Sequence, residues 1–322
     1  MADVPQIINP PEAALERLNE LSKTLAQTIP AKQIERNILI GTWNLRMFGG
    51  MTEKWVSGEN DKPKRNLLDV AAIARVLSCF DVVAVQEVRG NIKALRHLMK
   101  ALGPPWGLIL TDVNRQDGGN DERMAFIFDT RRVKPSGLAC ELVVPVGSGN
   151  GKDVLERQFA RSPYAVSFVA GDKTFILVTL HVFFGKKAPE RVPELRAIAE
   201  WLAGWAKEVD NWGHNLICLG DFNIDRKGDP LYDAFTSTGL VPAEQLNNVP
   251  RTIFDEPEKM SFYDQIAWFM DDKKGPMLSL VCEGAGSFNF VPELQDGQTL
   301  EQLSFRISDH YPLWVDFSLG SV

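Results

Sequence analysis

Near the C-terminus a carboxylate and an imidazole, Asp309 and His310, stand side by side in Ser308-Asp309-His310, just ahead of the strand-like run Leu313 to Phe317. An isolated Asp-His pair is commonly a solvated loop. Here other apolar runs also stop at polar residues. Asn44 closes Ile38 to Trp43, Glu87 closes Asp81 to Gln86, and Asp221 and Asn223 follow Asn215 to Gly220. His181 ends Phe175 to Leu180, and Asp264 opens Gln265 to Phe269. Buried strands read as continuous apolar runs, so each polar residue marks a point where a strand leaves the core. Buried without partners these groups are costly, and a shared, partly solvated cleft is the cheaper placement.

Asn44, Glu87, Asp221, Asn223 and Asp309 are hard oxygen donors, and the chain has neither a close Cys pair nor an H-E-x-x-H helix. Such a set suits Mg²⁺, with Mn²⁺ as an alternative, better than zinc. Two imidazoles beside a hard cation fit displacement at phosphorus, in which one takes a proton from water and the other protonates the leaving oxygen. A covalent route through Ser308 is disfavoured. No G-x-S-x-G elbow is present, and a Ser-His-Asp triad leaves the other strand-end carboxylates unexplained.

The elements that must position these groups follow from the same patterns. Helical periodicity covers Asn66 to Ser78, Asn91 to Leu102 and Pro193 to Val209, and Glu122 to Leu180 reads as mostly consecutive strands, with a hairpin turn at Gly171-Asp172. Mixed sheets covered by helices follow. The Gly-rich stretch Gly147 to Asp153 lacks P-loop spacing and reads as a mobile loop. Residues 1–36 form an expected N-terminal helical extension, with Asn9 as its cap and Leu15, Leu18, Leu21 and Leu25 on one face, closing near Pro30. That face either packs on the main domain, residues 37–320, or mediates a dimer or partner contact.

The 322 residues, 44% of them apolar, can bury a substantial core, and any cut between Asn44 and His310 would split the constellation. Cys79, Cys140, Cys218 and Cys282 lie in or beside apolar segments and read as buried thiols of a reducing compartment. No run approaches the roughly 20 apolar residues of a membrane span. Met1 to Pro5 lacks the basic and apolar blocks of a secretory signal, so a cytoplasmic setting is expected. The formal net charge of −7 argues against passive binding of nucleic acid but leaves room for an enzyme acting on it through local cations. Lys62, Lys64, Arg65, Lys186, Lys187 and Arg191 are the candidates.

Several motifs now carry a resemblance. Asn44-x-Arg46-x-Phe48, Gln86-Glu87-Val88-Arg89, Glu122-Arg123, Arg161-x-Pro163, Leu180-His181, Gly220-Asp221-Phe222-Asn223, Tyr263-Asp264-x-Ile266 and Ile307 to Pro312 occur in one order. Across residues 38–318 the chain resembles the endonuclease/exonuclease/phosphatase superfamily, and within it most closely deoxyribonuclease I. The resemblance implies a four-layer α/β sandwich, two mixed sheets face to face with helices outside, that cuts a phosphodiester with Mg²⁺ and leaves a 5′-phosphate. It implies Glu87 as principal metal ligand, assisted by Asn44 and Asp309 at metal or phosphate. His310 oriented by Asp264 would be the general base, and His181 oriented by Glu122 the general acid. Asp221 and Asn223 would position water and phosphate, and Arg46, Arg89 and Arg161 would contact phosphates or bases.

The chain departs from that nuclease where Asn120 and Asp121 replace a Tyr and a basic residue used against the minor groove. The nuclease's disulfide cysteines have no counterpart, and Gly49 to Arg65, carrying Trp55, is longer. Three functions follow. The first is a DNA endonuclease. The second is the same chemistry on RNA, a phosphoinositide, a sphingolipid or a small phosphoester. The third is a binding module whose N-terminal helix engages a partner.

Overall fold

The computed structural model describes residues 6–114, 120–143, 159–185, 187–210, 215–271 and 275–320. Lys186 and the Gly-rich stretch 147–153 lie outside them. In chain order the elements are α1 (Glu12–Thr28), β1 (Asn37–Phe48), α2 (Leu67–Leu77), β2 (Val82–Arg89), α3 (Lys93–Leu102), β3 (Trp106–Leu110) and β4 (Glu122–Asp129). There follow β5 (Lys134–Glu141), β6 (Tyr164–Ala170), β7 (Lys173–His181), α4 (Val192–Asp210), β8 (Asn215–Asp221), α5 (Pro230–Thr236) and β9 (Leu240–Pro242). The chain closes with β10 (Asp264–Phe269), β11 (Val281–Ser287), α6 (Val291–Leu294), α7 (Leu300–Arg306) and β12 (Leu313–Ser318).

The strands form two six-stranded sheets, in the orders β11-β12-β1-β2-β4-β3 and β5-β6-β7-β8-β10-β9. Each is antiparallel except for one central parallel pair, β1 with β2 and β7 with β8. Each parallel pair is joined through a helix, α2 in the first sheet and α4 in the second, as a parallel connection requires. α2 is held at its start by a capping box, in which Asn66 and Asp69 exchange side-chain and backbone hydrogen bonds.

Alternation along the central strands sorts residues into layers. Ile38, Ile40, Val82 and Ala84 of the first sheet meet Phe175, Leu177, Ile217 and Leu219 of the second in the inter-sheet core. Leu39, Trp43, Val83 and Val85 point the other way, to the layer formed with α1, α2 and α3. Ile176, Val178, Leu216 and Cys218 face α4 and α5. The result is the expected four-layer sandwich of two mixed sheets with flanking helices. Truncating an inter-sheet aromatic such as the fully buried Phe168 is expected to cost about 3–5 kcal/mol.

The N-terminal helix is α1. Leu18, Leu21 and Leu25 are buried in the helical layer over the first sheet, while Leu15 is 40% exposed and outside the apolar face predicted for it. Pro11, and not Asn9, occupies the cap position, without a side-chain cap bond. Among the described residues no helix is long and apolar enough to cross a membrane.

Candidate active site

The C-terminal ends of both parallel pairs open on one rim. In the second sheet His181 and Asp221 stand in register at the ends of β7 and β8. Gly220 makes this pairing possible, because its φ is 140° and a Cβ there would lie 2.1 Å from the Leu180 carbonyl oxygen. In the first sheet the register slips between Asn44 and Phe48 on β1 and between Val85 and Val88 where β2 meets β4. Within these irregularities Arg46, Met47 and Glu87 all take positive φ. The bulged backbone turns Glu87 out of the ladder toward the rim, an arrangement that stores strain where function is concentrated.

Arg65 braces that strained turn. It is 2% exposed, and its guanidinium donates to the carbonyls of Leu45, Arg46 and Met47 on one side and of Arg306 and Ile307 on the other. Burial pulls its pKa down to about 10, so it stays charged at neutral pH. Arg65 and Arg191, candidates from the sequence for local substrate contact, are instead buried supports. Arg191 is 4% exposed, pairs with Asp225 through two nitrogens and donates to the Asn223 carbonyl.

A cleft of about 580 Å³ opens at the rim, lined by Glu87, Arg161, His181, Asp221, Asn223, Asp309 and His310 among others. His310 Nδ1 lies 2.6 Å from Asp264 Oδ2, and its Nε2 is 4.0 Å from both Asp221 Oδ2 and Asp309 Oδ1. Opposite, His181 Nδ1 is 3.2 Å from Glu122 Oε2 and its Nε2 is 3.6 Å from Asp221 Oδ2. His310 is hydrogen-bonded to its buried carboxylate through Nδ1, His181 has Glu122 beside Nδ1 within ion-pair distance but without a hydrogen bond, and both turn Nε2 toward the same oxygen of Asp221. Burial opposes charging of His310, but Asp264, Asp221 and Asp309 outweigh it and lift its pKa well above the ordinary value. Burial raises Asp264 to about 6, with His310 pulling it back. These carboxylates therefore stabilise the imidazolium, the form His310 reaches on taking up a proton.

Glu87 keeps its charge. Burial pushes its carboxyl up, but His181, the Met47 amide, Asn44 and His310 hold its pKa below the usual value. Asn44 is 1% exposed, and its Nδ2 sits 3.1 Å from both Glu87 Oε1 and Asp221 Oδ2 while its Oδ1 accepts from the Arg46 amide. Two carboxylates demand the donor end of the amide, so Asn44 ties the two sheets' acidic groups together. Its remaining partners leave it outside the cleft lining.

The expected phosphate-contacting arginines are brought to the site but are engaged. Arg46 Nη1 lies 2.8 Å from Asp309 Oδ2 and 2.8 Å from Ser304 Oγ. Arg161 Nε donates to Glu122 Oε2 at 2.6 Å, sharing the oxygen that faces His181, and Arg89 reaches the other Glu122 oxygen at 3.5 Å. Asn223, with φ 51°, donates its backbone amide to Asp221 Oδ1 at 2.9 Å and its Nδ2 to the Val182 carbonyl at 2.6 Å.

Supports that the sequence did not mark include Ser308, fully buried with its hydroxyl donating to the Asn44 carbonyl at 2.6 Å and accepting from the His310 amide. That use leaves Ser308 no role as a nucleophile. The Trp43 indole donates to the His310 carbonyl, and the fully buried Arg251 donates to the Asp264 carbonyl. An interior Arg carries no periodicity signal and could not be told from a surface one.

The donor set fits a hard divalent cation. Mg²⁺ keeps several waters and takes one or two carboxylates plus substrate phosphate, and Glu87 and Asp309 are partly exposed carboxylates on the cleft wall near the imidazoles. Among the described residues no group of three or more His, Cys, Asp or Glu side chains gathers as a metal cage.

No protein-family model matches the chain. It is 25% identical over 291 residues to a deoxyribonuclease of Thioalkalivibrio sp. (strain K90mix), covering 87% of this chain and 71% of that protein. It is 26% identical over 275 residues to deoxyribonuclease-1-like 1 of Sus scrofa, covering 78% of each. The crystal structure of an endonuclease/exonuclease/phosphatase from Bacteroides vulgatus superposes with a TM-score of 0.58 at 16% identity, covering 88% of this chain and 99% of that one. The resemblance drawn from the motifs therefore holds over most of the chain, in sequence and in fold.

Proposed function

Starting from a deoxyribonuclease I-like hydrolase of phosphoester bonds, we propose that this chain is a divalent-metal-dependent DNA endonuclease that leaves 5′-phosphates. The observation that carries the reading is the pair of carboxylate-backed imidazoles facing one another across Asp221 Oδ2, at 3.6 Å from His181 and 4.0 Å from His310. Glu87 with Asp309 would hold a Mg²⁺ or Mn²⁺, which would supply positive charge against the phosphate oxygens.

The remaining work belongs to the chain's own groups. His310 accepts a proton from the attacking water at Nε2, and Asp264 steadies the imidazolium through Nδ1. His181 gives its Nε2 proton to the leaving oxygen, with Glu122 behind it. Asp221 and Asn223 orient water and phosphate between the rings. Asn44 holds Glu87 and Asp221 at their spacing and is a positioning residue, and Arg161 contributes a fixed positive charge beside the phosphate.

A second reading keeps this chemistry and changes the substrate to RNA, a lipid headgroup or a small phosphoester. Asn120 on the cleft wall favours it, because the position offers no aromatic ring to a minor groove. The test is relaxation of supercoiled plasmid with Mg²⁺ or Mn²⁺, beside EDTA and the His310→Ala variant. Nicking that requires both metal and His310 supports the endonuclease. Intact plasmid with cleavage of RNA, inositol lipid or p-nitrophenyl phosphate supports the second reading.

A further inference from the structure

On the far side of Glu87 the rim continues into a second cavity of about 900 Å³, roofed by the segment between β1 and α2. That segment is built rather than loose. Its ends are joined by the Thr52 amide on the Arg65 carbonyl and the Leu67 amide on the Lys54 carbonyl. Lys54 Nζ holds both Asp61 oxygens at 2.9 Å, and Lys64 Nζ donates to the carbonyls of Gly58 and Glu59. Trp55 packs one edge against the helical layer and lines the cavity.

Three large apolar side chains are displayed along the walls, Met47 at 49%, Val56 at 76% and Phe305 at 45% exposure. No other part of the proposed mechanism uses them. The surrounding charge is positive on a chain of net charge −7. Arg17, Arg306 and Arg89 are paired with Asp296, Asp69 and Glu122 and Arg65 is buried against backbone carbonyls, which leaves Lys62 and Lys64 beside Glu59 on the lining. The groove is continuous with the active site, since the Met47 amide donates to Glu87 Oε2 at 2.8 Å, and the Arg46 guanidinium that binds Asp309 lies 4.2 Å over the Phe305 ring.

An apolar floor with cationic edges matches a strand whose bases are unpaired, which offers flat faces for stacking and phosphates for charge. A duplex hides those faces and shows only phosphates and groove edges. We propose that this groove binds a few unpaired nucleotides of a DNA strand next to the scissile phosphate, and so directs the enzyme to single-stranded or opened DNA. The inference deepens the endonuclease reading and rests on it for the substrate class.

Binding is measured by fluorescence anisotropy of a labelled single-stranded oligonucleotide and of its duplex, in EDTA so that nothing is cut. Val56 is exposed, so Val56→Glu places a like charge in the groove without disturbing the core. It is expected to weaken single-strand binding by about tenfold and duplex binding far less, and Trp55→Ala to lower it by about 5- to 150-fold, the range of one lost base stack. Lys62→Ala is expected to reduce the salt slope of single-strand binding by about 0.7. Equal single-strand affinity in wild type, Val56→Glu and Trp55→Ala overturns the groove even if plasmid is nicked. Strand capture lost in Val56→Glu while neither plasmid nor single-stranded DNA is cut with Mg²⁺ keeps the groove and removes the endonuclease reading. Displacement of strand by phosphoinositide vesicles, with no preference for strand over duplex, overturns the proposal in favour of a lipid tail.

Discussion

The two sheets repeat one plan and end it differently. In the first, the lead-in to β12 carries His310, β1 and β2 carry Asn44 and Glu87 near their C-terminal ends, and β4 begins with Glu122. In the second, the corresponding places hold Arg161 ahead of β6, His181 on β7, Asp221 on β8 and Asp264 opening β10. Each opening carboxylate reaches a nitrogen at 2.6 Å, Asp264 to His310 and Glu122 to Arg161. One lead-in therefore supplies a ring that can lose its proton, and the other a guanidinium that cannot. The same backbone plan yields an acid-base dyad on one side and a permanent charge on the other.

That asymmetry can be broken by substitution. The largest effect is expected for His310→Ala and for His181→Ala, each lowering kcat on plasmid by about 10²- to 10⁴-fold; full activity in either variant would falsify the assignment of proton transfer. Next come the two carboxylates. Asp264→Asn leaves beside it a ring that can neutralise itself, so activity should fall by about 10- to 100-fold, as for removal of an outer partner, with little change in melting. Glu122→Gln strands the buried Arg161 charge, and a stability loss of about 3–5 kcal/mol is expected in denaturant unfolding. Equal melting shifts in these two variants would mean that the lead-ins are equivalent after all.

The smallest effect lies at the opposite rim of the same sheets, where Lys32, Asp81, Asp129, Arg131 and Arg132 form ion pairs. Burial pushes Asp129 up, but its bonds to Arg131 and the nearby Lys32 charge hold its pKa below the ordinary value. A depressed carboxyl adds stability that is complete above its unfolded value, about 3.9, and disappears as pH falls through the lower folded value. Asp129→Asn should accordingly flatten the acid limb of stability below about pH 4, read by urea unfolding at several pH values, and leave plasmid cleavage at neutral pH unchanged.

Much of the rim was legible because a buried parallel strand stays apolar until it exits. Asn44, Glu87, His181 and Asp221 interrupt their runs at that point, and Asp264 opens its own. α2 announced itself through Asn66 and its periodicity. Burial of cations was not legible. Arg65 and Arg191 read as substrate contacts because a sequence records their charge and not the carbonyls they serve. Leu15 fitted the spacing of the α1 face yet fell at its exposed margin. The amide of Asn44 is a metal donor by type, but its contacts on two carboxylates arise only when the sheets are stacked.

Each imidazole belongs to one sheet and its carboxylate to the other: His181 of the second to Glu122 of the first, His310 of the first to Asp264 of the second. The catalytic groups thus act as a gauge of alignment between layers. A slip of one sheet over the other by a fraction of a residue leaves every strand intact and both dyads parted. On warming or in mild denaturant, cleavage should fade before the secondary structure does, and neither sheet severed from its companion can carry the chemistry.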